Sequence, residues 1–269
     1  MLTALRKLGR NAPKRTEGAL YVMTSYPRAG THWLKKMISD VLGEEPFDRI
    51  VSRSRRRLIN ALDREASHCL VYDHFVYDLH SGILDPAVRP NLRMLLLYRN
   101  PLDALISDCH LRALKGILPY GDLPALENAR ILLRRQWSGD RAISRMMRRD
   151  MIFASSFRDY VKRRAVDWLV SGRCFPVRYE DLVADAPRYL KAALEYLGIE
   201  HTSADIARSV ERNDFMRLSG GRVPGQTDAG SHYRRGVPGE WREVFSEEDI
   251  EVALKGIGDY LEILGYTIS

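Results

Sequence analysis

Leu20–Thr24 (LYVMT) is a short apolar run that stops at Ser25-Tyr26-Pro27, the pattern of a buried strand ended by a turn. Directly after it, Thr31 opens a segment in which Trp33, Leu34, Met37, Ile38, Val41 and Leu42 share one helical face, and Gly43 closes it. The same alternation recurs downstream. Cys69–Tyr72 and Leu92–Tyr98 predict strands, and Pro101 starts a helix over Leu102–Leu114. Phe175–Tyr179 predicts another strand, followed by a helix over Pro187–Leu197 whose Leu190, Ala193, Leu194 and Leu197 form an apolar stripe. Ser246 and Asp249 make a capping pair ahead of a last helix carrying Ile250, Leu254, Ile257, Leu261 and Leu264. Residues 119–150, rich in Arg and Leu, read as helical without a chemical signature. Strands alternating with helices predict an α/β fold with a central parallel sheet flanked by helices on both faces.

A length of 269 residues suits one large domain, here expected over residues 19–269, preceded by a basic arm over residues 1–18. Apolar residues at 45% and charged residues at 29% exclude a disordered chain. The longest clean apolar run, Met94–Tyr98, falls far short of the roughly 18 residues of a membrane span. The first residues lack the apolar core of a signal peptide and read as a frayed terminus. Cys69, Cys109 and Cys174 form no CxxC pair and no disulfide framework, which suits a reducing compartment, so a cytoplasmic location is expected. The net charge of +7 and the runs Arg53-Ser54-Arg55-Arg56-Arg57 and Arg145, Arg148, Arg149 raise a nucleic-acid reading. No helix-turn-helix, zinc-finger or RNA-recognition signature accompanies them, so no nucleic-acid partner is expected. A solvated basic face, or a field that draws in an anionic substrate, accounts for them.

Candidate chemistry starts at the loop Ser25-Tyr26-Pro27-Arg28-Ala29-Gly30-Thr31-His32-Trp33, between a buried strand and a helix N-terminus. Backbone N–H groups and the helix dipole there form an anion site, Gly30 permits close approach, Arg28 adds a charged fork and Thr31 a hydroxyl. The GxxxxGK[ST] pattern is absent, so the Mg²⁺-holding hydroxyl of a nucleoside triphosphatase is missing from its usual place. A plain strand–turn–helix joint with a solvated arginine is the competing reading.

The loop resembles the 5′-phosphosulfate-binding loop of the cytosolic-type sulfotransferases, Tyr-Pro-Lys-Ser-Gly-Thr-Thr-Trp, with Arg28, Ala29 and His32 in place of its Lys, Ser and Thr. Three further segments resemble that family in the same order. Arg99 and Ser107, eight positions apart across Asn100-Pro101, match its 3′-phosphate segment; a helix-start salt bridge from Arg99 to Asp103 is the alternative. Arg178-Tyr179-Glu180-Asp181-Leu182 is similar to its Tyr-Glu-Asp segment, and Arg234-Arg235-Gly236-Val237-Pro238-Gly239-Glu240-Trp241 to its Arg-Lys-Gly-x-x-Gly-Asp-Trp segment. The resemblance therefore runs through most of the chain and implies a P-loop-nucleotide-kinase-like sulfotransferase fold. It further implies 3′-phosphoadenosine 5′-phosphosulfate (PAPS) as donor, adenosine 3′,5′-bisphosphate (PAP) as product, and no metal.

Residue by residue, the resemblance assigns Arg28, the amides of Ala29, Gly30, Thr31 and His32, and Arg235 to the 5′-phosphate, and counts Gly236 among the donor-binding residues. It assigns Arg99, Ser107 and Arg234 to the 3′-phosphate, and Trp33, Tyr179 and Phe215 to the adenine side, where Asn213 replaces a usual threonine. His232 and Tyr233 replace the usual Phe-Met ahead of the Arg-Lys-Gly run.

Sulfuryl transfer needs a base for the acceptor's proton and cations for the leaving phosphate. Of the seven histidines, His74 follows a predicted strand at the carboxyl end where α/β sheets place ligands. The family's base stands there in a Lys-Thr-His run. The run here is Tyr72-Asp73-His74, which removes one cation and puts more of the catalytic work on Arg28. The acceptor expected is a small-molecule or lipid hydroxyl, or an amine. A Mg²⁺-dependent kinase and an inactive nucleotide-binding relative are the alternatives. The family's dimer segment aligns with Arg242–Glu251, where Glu247 replaces an apolar residue, so a monomer or a dimer through another surface is expected.

Overall fold

The computed structural model describes residues 19–25, 27–43, 47–49, 55–63, 70–116, 123–135 and 157–267. The basic arm expected over residues 1–18, together with Tyr26, Arg53, Ser54, Cys69 and the cluster Arg145, Arg148 and Arg149, lies outside the described residues. The described chain falls into two compact units, one drawn from residues up to Tyr98 with Arg163–Asp214, the other from Arg99–Lys162 with residues from Phe215 onward.

The first unit holds a five-stranded sheet. Its strands are β1 (Leu20–Ser25), β2 (Phe47–Arg49), β3 (Leu70–Asp73), β4 (Leu92–Tyr98) and β5 (Phe175–Arg178). The order is β2-β3-β1-β4-β5, with every pairing parallel, as the strand–helix alternation predicts. β1 is central and buried along its whole length, so it carries an unbroken apolar run rather than an in-out alternation. The register aligns Tyr72, Met23, Leu95 and Phe175 in one row across the sheet. Helices Thr31–Leu42, Ala186–Leu197 and Ser203–Arg212 contribute Leu34, Met37, Ile38, Leu190, Leu194 and Ile206 to the core cluster around that row. Ser209 Oγ fastens the last of these helices to the first by donating to the Met37 carbonyl at 2.8 Å.

Local signals account for the helix ends. Gly43 terminates Thr31–Leu42 in the left-handed conformation, with φ of 72°. The Asp185 side chain caps Ala186–Leu197, and its predicted apolar stripe is buried throughout.

The second unit is helical. Helix Pro101–Leu114 is capped by Asn100, whose Oδ1 accepts from the Leu102 amide at 2.9 Å, with Pro101 in the first turn. Ala125–Arg135 packs against it and against Glu247–Ile263. The Ser246–Asp249 capping box is formed as its spacing predicts.

Three expectations need correction. β2 was not predicted, since Phe47-Asp48-Arg49 is too short to display a period. Tyr179 does not end β5 but opens the helix Tyr179–Ala184, where Glu180 and Asp181 suit the positive end of the dipole. Leu254 is 42% exposed rather than part of the final helix's buried stripe. That helix breaks at Ile257, with φ of −131°, between Gly256 and Gly258, so one periodicity does not run through it.

Candidate functional site

The loop after β1 is shaped by two left-handed residues, Arg28 at φ of 70° and Gly30 at φ of 92°. A non-glycine residue in that region is strained, and such strain clusters at ligand-binding loops. Ala29 between them is fully buried and anchors the loop in the core cluster. Gly30 is the N-cap of Thr31–Leu42, which has no side-chain cap. The first bonds within the helix run from the Trp33 and Leu34 amides to the Gly30 carbonyl, so the Thr31 and His32 amides precede that ladder.

The carboxyl ends of β1 and β3 bring a histidine to this loop. Register pairs Tyr72 with Met23 and Asp73 with Thr24, and the next residues, His74 and Ser25, touch. His74 Nδ1 lies 2.9 Å from the Ser25 carbonyl oxygen and 3.1 Å from Ser25 Oγ. A carbonyl oxygen only accepts, so Nδ1 carries a proton, and in the neutral ring Nε2 then holds the lone pair. Ser25 Oγ is in turn 2.7 Å from Thr31 Oγ1, which links imidazole, strand end and helix start in one chain. The His74 amide donates to Asp73 Oδ1 at 2.7 Å.

An aromatic wall stands beside Gly30. A Cβ at Gly30 would lie 2.6 Å from Tyr179 Cδ2, so only glycine lets the loop backbone lie against that ring. Trp33 meets Tyr179 edge-on with centroids 6.1 Å apart, and its Nε1 donates to the Asn213 carbonyl at 2.7 Å. The Asn213 side chain donates to Asp40 Oδ2 at 2.6 Å and to the Ser209 carbonyl at 2.9 Å, so it secures the support of Trp33.

The second unit carries its own cluster of cations. Arg99 follows β4, is buried, and lies 3.5 Å from Asp103 Oδ2, so the helix-start salt bridge is formed. Ser107 sits one turn beyond Asp103 on the same helix face and is also buried. Asp103 further accepts from the amides of Gly239 at 2.7 Å and Trp241 at 3.0 Å, which ties the start of this helix to the Arg234–Trp241 segment. Arg234 makes a two-pronged pair with Glu240, one arm at 2.7 Å, and Arg235 another with Glu243, at 2.9 and 2.5 Å. The hydrogen bond with Arg235 holds the Glu243 carboxyl below its ordinary value and raises the guanidinium. The Nε atoms of Arg234 and Arg235 are buried and have no hydrogen-bond partner among the described residues. Phe215 packs so closely on Gly236, at φ of 75°, that a Cβ there would overlap its ring.

The family model for the sulfotransferase domain matches residues 21–264. The chain belongs to the sulfotransferase domain family. A flavonol sulfotransferase-like protein of Flaveria bidentis is 22% identical over 259 residues, covering 84% of this chain and 76% of that protein. Among solved structures, mouse sulfotransferase SULT7A1 complexed with PAP superposes with a TM-score of 0.65 at 18% identity, covering 98% of this chain and 93% of that one. Retinol dehydratase in complex with retinol and PAP gives a TM-score of 0.59 at 16% identity, covering 99% and 87%. These structures share the α/β fold predicted from the sequence.

Within this sulfotransferase, the first unit brings together Gly30, Thr31, His74, Trp33 and Tyr179, and the second Arg99 with Asp103 and Phe215 with Gly236. The sequence reading missed Ser25 as a partner of His74, because the contact is made by its main-chain carbonyl, which carries no side-chain signal. Thiol chemistry has no candidate in Cys109 or Cys174, because burial pushes both thiols well above their ordinary value. Among the described residues no helix is long and apolar enough to cross a membrane.

Proposed function

We propose that this sulfotransferase moves the sulfuryl group of PAPS to a hydroxyl or amine of a small-molecule or lipid acceptor, with His74 as general base. The observation that carries this is the bond from His74 Nδ1–H to the Ser25 carbonyl at 2.9 Å, beside the loop of Arg28 to Trp33. It commits Nε2 to the role of proton acceptor.

The residues fit a donor with two anionic ends. The buried, unpartnered Nε atoms of Arg234 and Arg235 are cationic donors that call for an acceptor oxygen. The loop presents Arg28 and the amides of Ala29, Gly30, Thr31 and His32 to the 5′-phosphate. Arg99, Ser107 and Arg234 hold the 3′-phosphate. Trp33, Tyr179 and Phe215 offer ring surfaces to the adenine.

When bound, the donor supplies a sulfuryl group on a phosphate leaving group. His74 Nε2 takes the acceptor's proton as the acceptor oxygen bonds to sulfur. The bond from sulfur to the bridging oxygen breaks, and its electron pair stays on the phosphate. Arg28 and the loop amides stabilise that charge. Two fold relatives are complexed with PAP, and one also with retinol, which supports a nucleotide bisphosphate product and an apolar alcohol as acceptor class. The cysteine usage, three residues without a CxxC pair, supports a cytoplasmic location.

Calorimetry with PAP against adenosine 5′-phosphate tests the donor. Tight, 3′-phosphate-dependent binding that falls about tenfold or more in Arg99→Ala is expected. Binding of PAP by His74→Ala should match the wild type while turnover drops about 10²–10⁴-fold. No preference for the 3′-phosphate would overturn the reading.

A further inference from the structure

β1 is apolar from Leu20 to Met23 and then turns polar without leaving the core: Thr24 and Ser25 are both fully buried. A hydroxyl at that depth is unfavourable unless it is hydrogen-bonded. Ser25 Oγ has two such partners, His74 Nδ1 at 3.1 Å and Thr31 Oγ1 at 2.7 Å, and no other among the described residues. The three groups come from three elements: the end of β1, the residue after β3 and the first position of the helix Thr31–Leu42.

The hydrogens of this chain follow from its partners. Nδ1 carries a proton, since it donates to the Ser25 carbonyl at 2.9 Å, so Ser25 Oγ only accepts from it. The Ser25 hydroxyl hydrogen then goes to Thr31 Oγ1, its remaining partner. This leaves the Thr31 hydroxyl hydrogen for an acceptor other than Ser25, at the helix start where the Thr31 and His32 amides precede the ladder. All the donors therefore run one way, from the imidazole toward the loop. Positive charge on the ring and negative charge at the helix start polarise such a chain in the same sense, so each strengthens its bonds.

We propose that Ser25 is a positioning residue for His74, and that its hydroxyl couples the base to the 5′-phosphate site through Thr31. This rests on the donor reading given above. As Nε2 takes the acceptor's proton the ring becomes a cation, while the breaking bond to sulfur leaves its electron pair on the phosphate oxygen. The two charges arise at opposite ends of the Ser25 chain, and no proton moves along it.

The experiment follows the His74 ring by NMR of protein labelled with ¹⁵N-histidine, titrated with acid alone and when saturated with PAP or with adenosine 3′-phosphate, which lacks the 5′ group. His74→Ala assigns the signal. The ionisable groups on β3, the loop and the first turns of the helix are Tyr72, Asp73, Arg28, His32 and Lys35, with Asp73 Oδ1 accepting from the His74 amide. They are common to every variant, so differences belong to the hydroxyls. Without ligand, Ser25→Ala should lower the proton affinity of His74 about threefold to tenfold, and Ser25→Thr should restore most of it. PAP should raise that affinity about threefold or more in the wild type, and adenosine 3′-phosphate should not. Ser25→Ala and Thr31→Val should each show a smaller rise, and Thr31→Ser the full one. Thermal melting of each variant checks that the fold is intact. An unchanged His74 titration in Ser25→Ala, with only its melting temperature lowered, would reduce Ser25 to a staple between strand and helix and overturn its role. An equal rise with PAP in Thr31→Val and wild type would overturn the coupling and leave the donor reading standing. A wild type that does not bind PAP would overturn the donor reading and the coupling together, while the titration without ligand still decides whether Ser25 supports His74.

Discussion

A Cβ placed on Gly30 stands 2.6 Å from Cδ2 and 3.0 Å from Cε2 of Tyr179, and the Gly30 backbone is left-handed at φ of 92°. Two separate costs therefore attend any side chain here. The conformation itself costs a non-glycine residue about 1–3 kcal/mol. The overlap must also push the ring away, and Tyr179 opens a helix that continues β5. Gly30→Ala should lower stability in urea by about 1–3 kcal/mol or more and weaken PAP binding. Adding Tyr179→Ala should recover the steric part and leave the conformational part. A double variant no more stable than the single one would show that the ring contact is not what selects glycine.

Asp103 joins three groups with one carboxylate: the Gly239 amide at 2.7 Å, the Trp241 amide at 3.0 Å and the Arg99 guanidinium at 3.5 Å. It is 1% exposed, so removing it leaves desolvated donors and a buried cation with one partner fewer. Asp103→Ala should cost about 3–5 kcal/mol in chemical denaturation, the usual loss on breaking a buried pair. Asp103→Asn, which keeps one acceptor oxygen, should cost less. A cost below about 1 kcal/mol for the alanine variant would mean that the carboxylate does not organise this segment.

The sheet was legible because parallel strands buried on both faces must be apolar runs, and Leu20–Thr24 and Leu92–Tyr98 are such runs. Capping chemistry made the Ser246 helix start readable, and the same logic applied to Thr202 and Asp205 would have located the helix Ser203–Arg212, whose capping box was overlooked. The tight joint between β1 and the helix Thr31–Leu42 was readable from glycine and its place between strand and helix. The contacts that give the site its chemistry were not. His74 reaches the Ser25 carbonyl across 49 positions of sequence, and Trp33 reaches the Asn213 carbonyl across 180. Both use main-chain oxygens, which every residue possesses, so no side-chain pattern announces them.

Arg222 holds the segment that carries Arg234 and Arg235. It donates to the carbonyls of Arg234 at 2.7 Å, Tyr233 at 2.6 Å and Gln226 at 3.0 Å, and its guanidinium lies 5.5 Å from the centroid of the Phe215 ring. Main-chain bonds from Gly225 to the Arg235 carbonyl and from Asp228 to the Arg234 carbonyl close the same loop. Lysine cannot reproduce a planar fork that serves several carbonyls. Arg222→Lys and Arg222→Ala should both raise the KM for PAPS, the alanine by about tenfold, while losing about 1–3 kcal/mol of stability. Unchanged donor binding in a melted or frayed loop, seen as protease sensitivity near Gly225, would separate loop order from phosphate recognition and count against this role.

Stability should depend on pH through Asp259. Arg158 donates to both of its oxygens at 2.7 Å and also lies 4.0 Å from the centroid of the Tyr260 ring. The hydrogen bond from Arg158 holds the Asp259 carboxyl below its ordinary value. A carboxyl lowered in the folded state adds stability that is fully present above its unfolded value and is lost as pH falls through the folded one. The wild type should therefore exceed Asp259→Asn in melting temperature by a constant margin at neutral pH. That margin should shrink once pH drops below about 3.9, the ordinary aspartate value. Asp259 is 55% exposed and Arg158 36%, so solvent screens the pair and the margin should correspond to about 0.2–1 kcal/mol. High salt should reduce it further. A margin that persists unchanged at pH 2–3 would assign it to packing of Arg158 on Tyr260 instead of to the charge on Asp259.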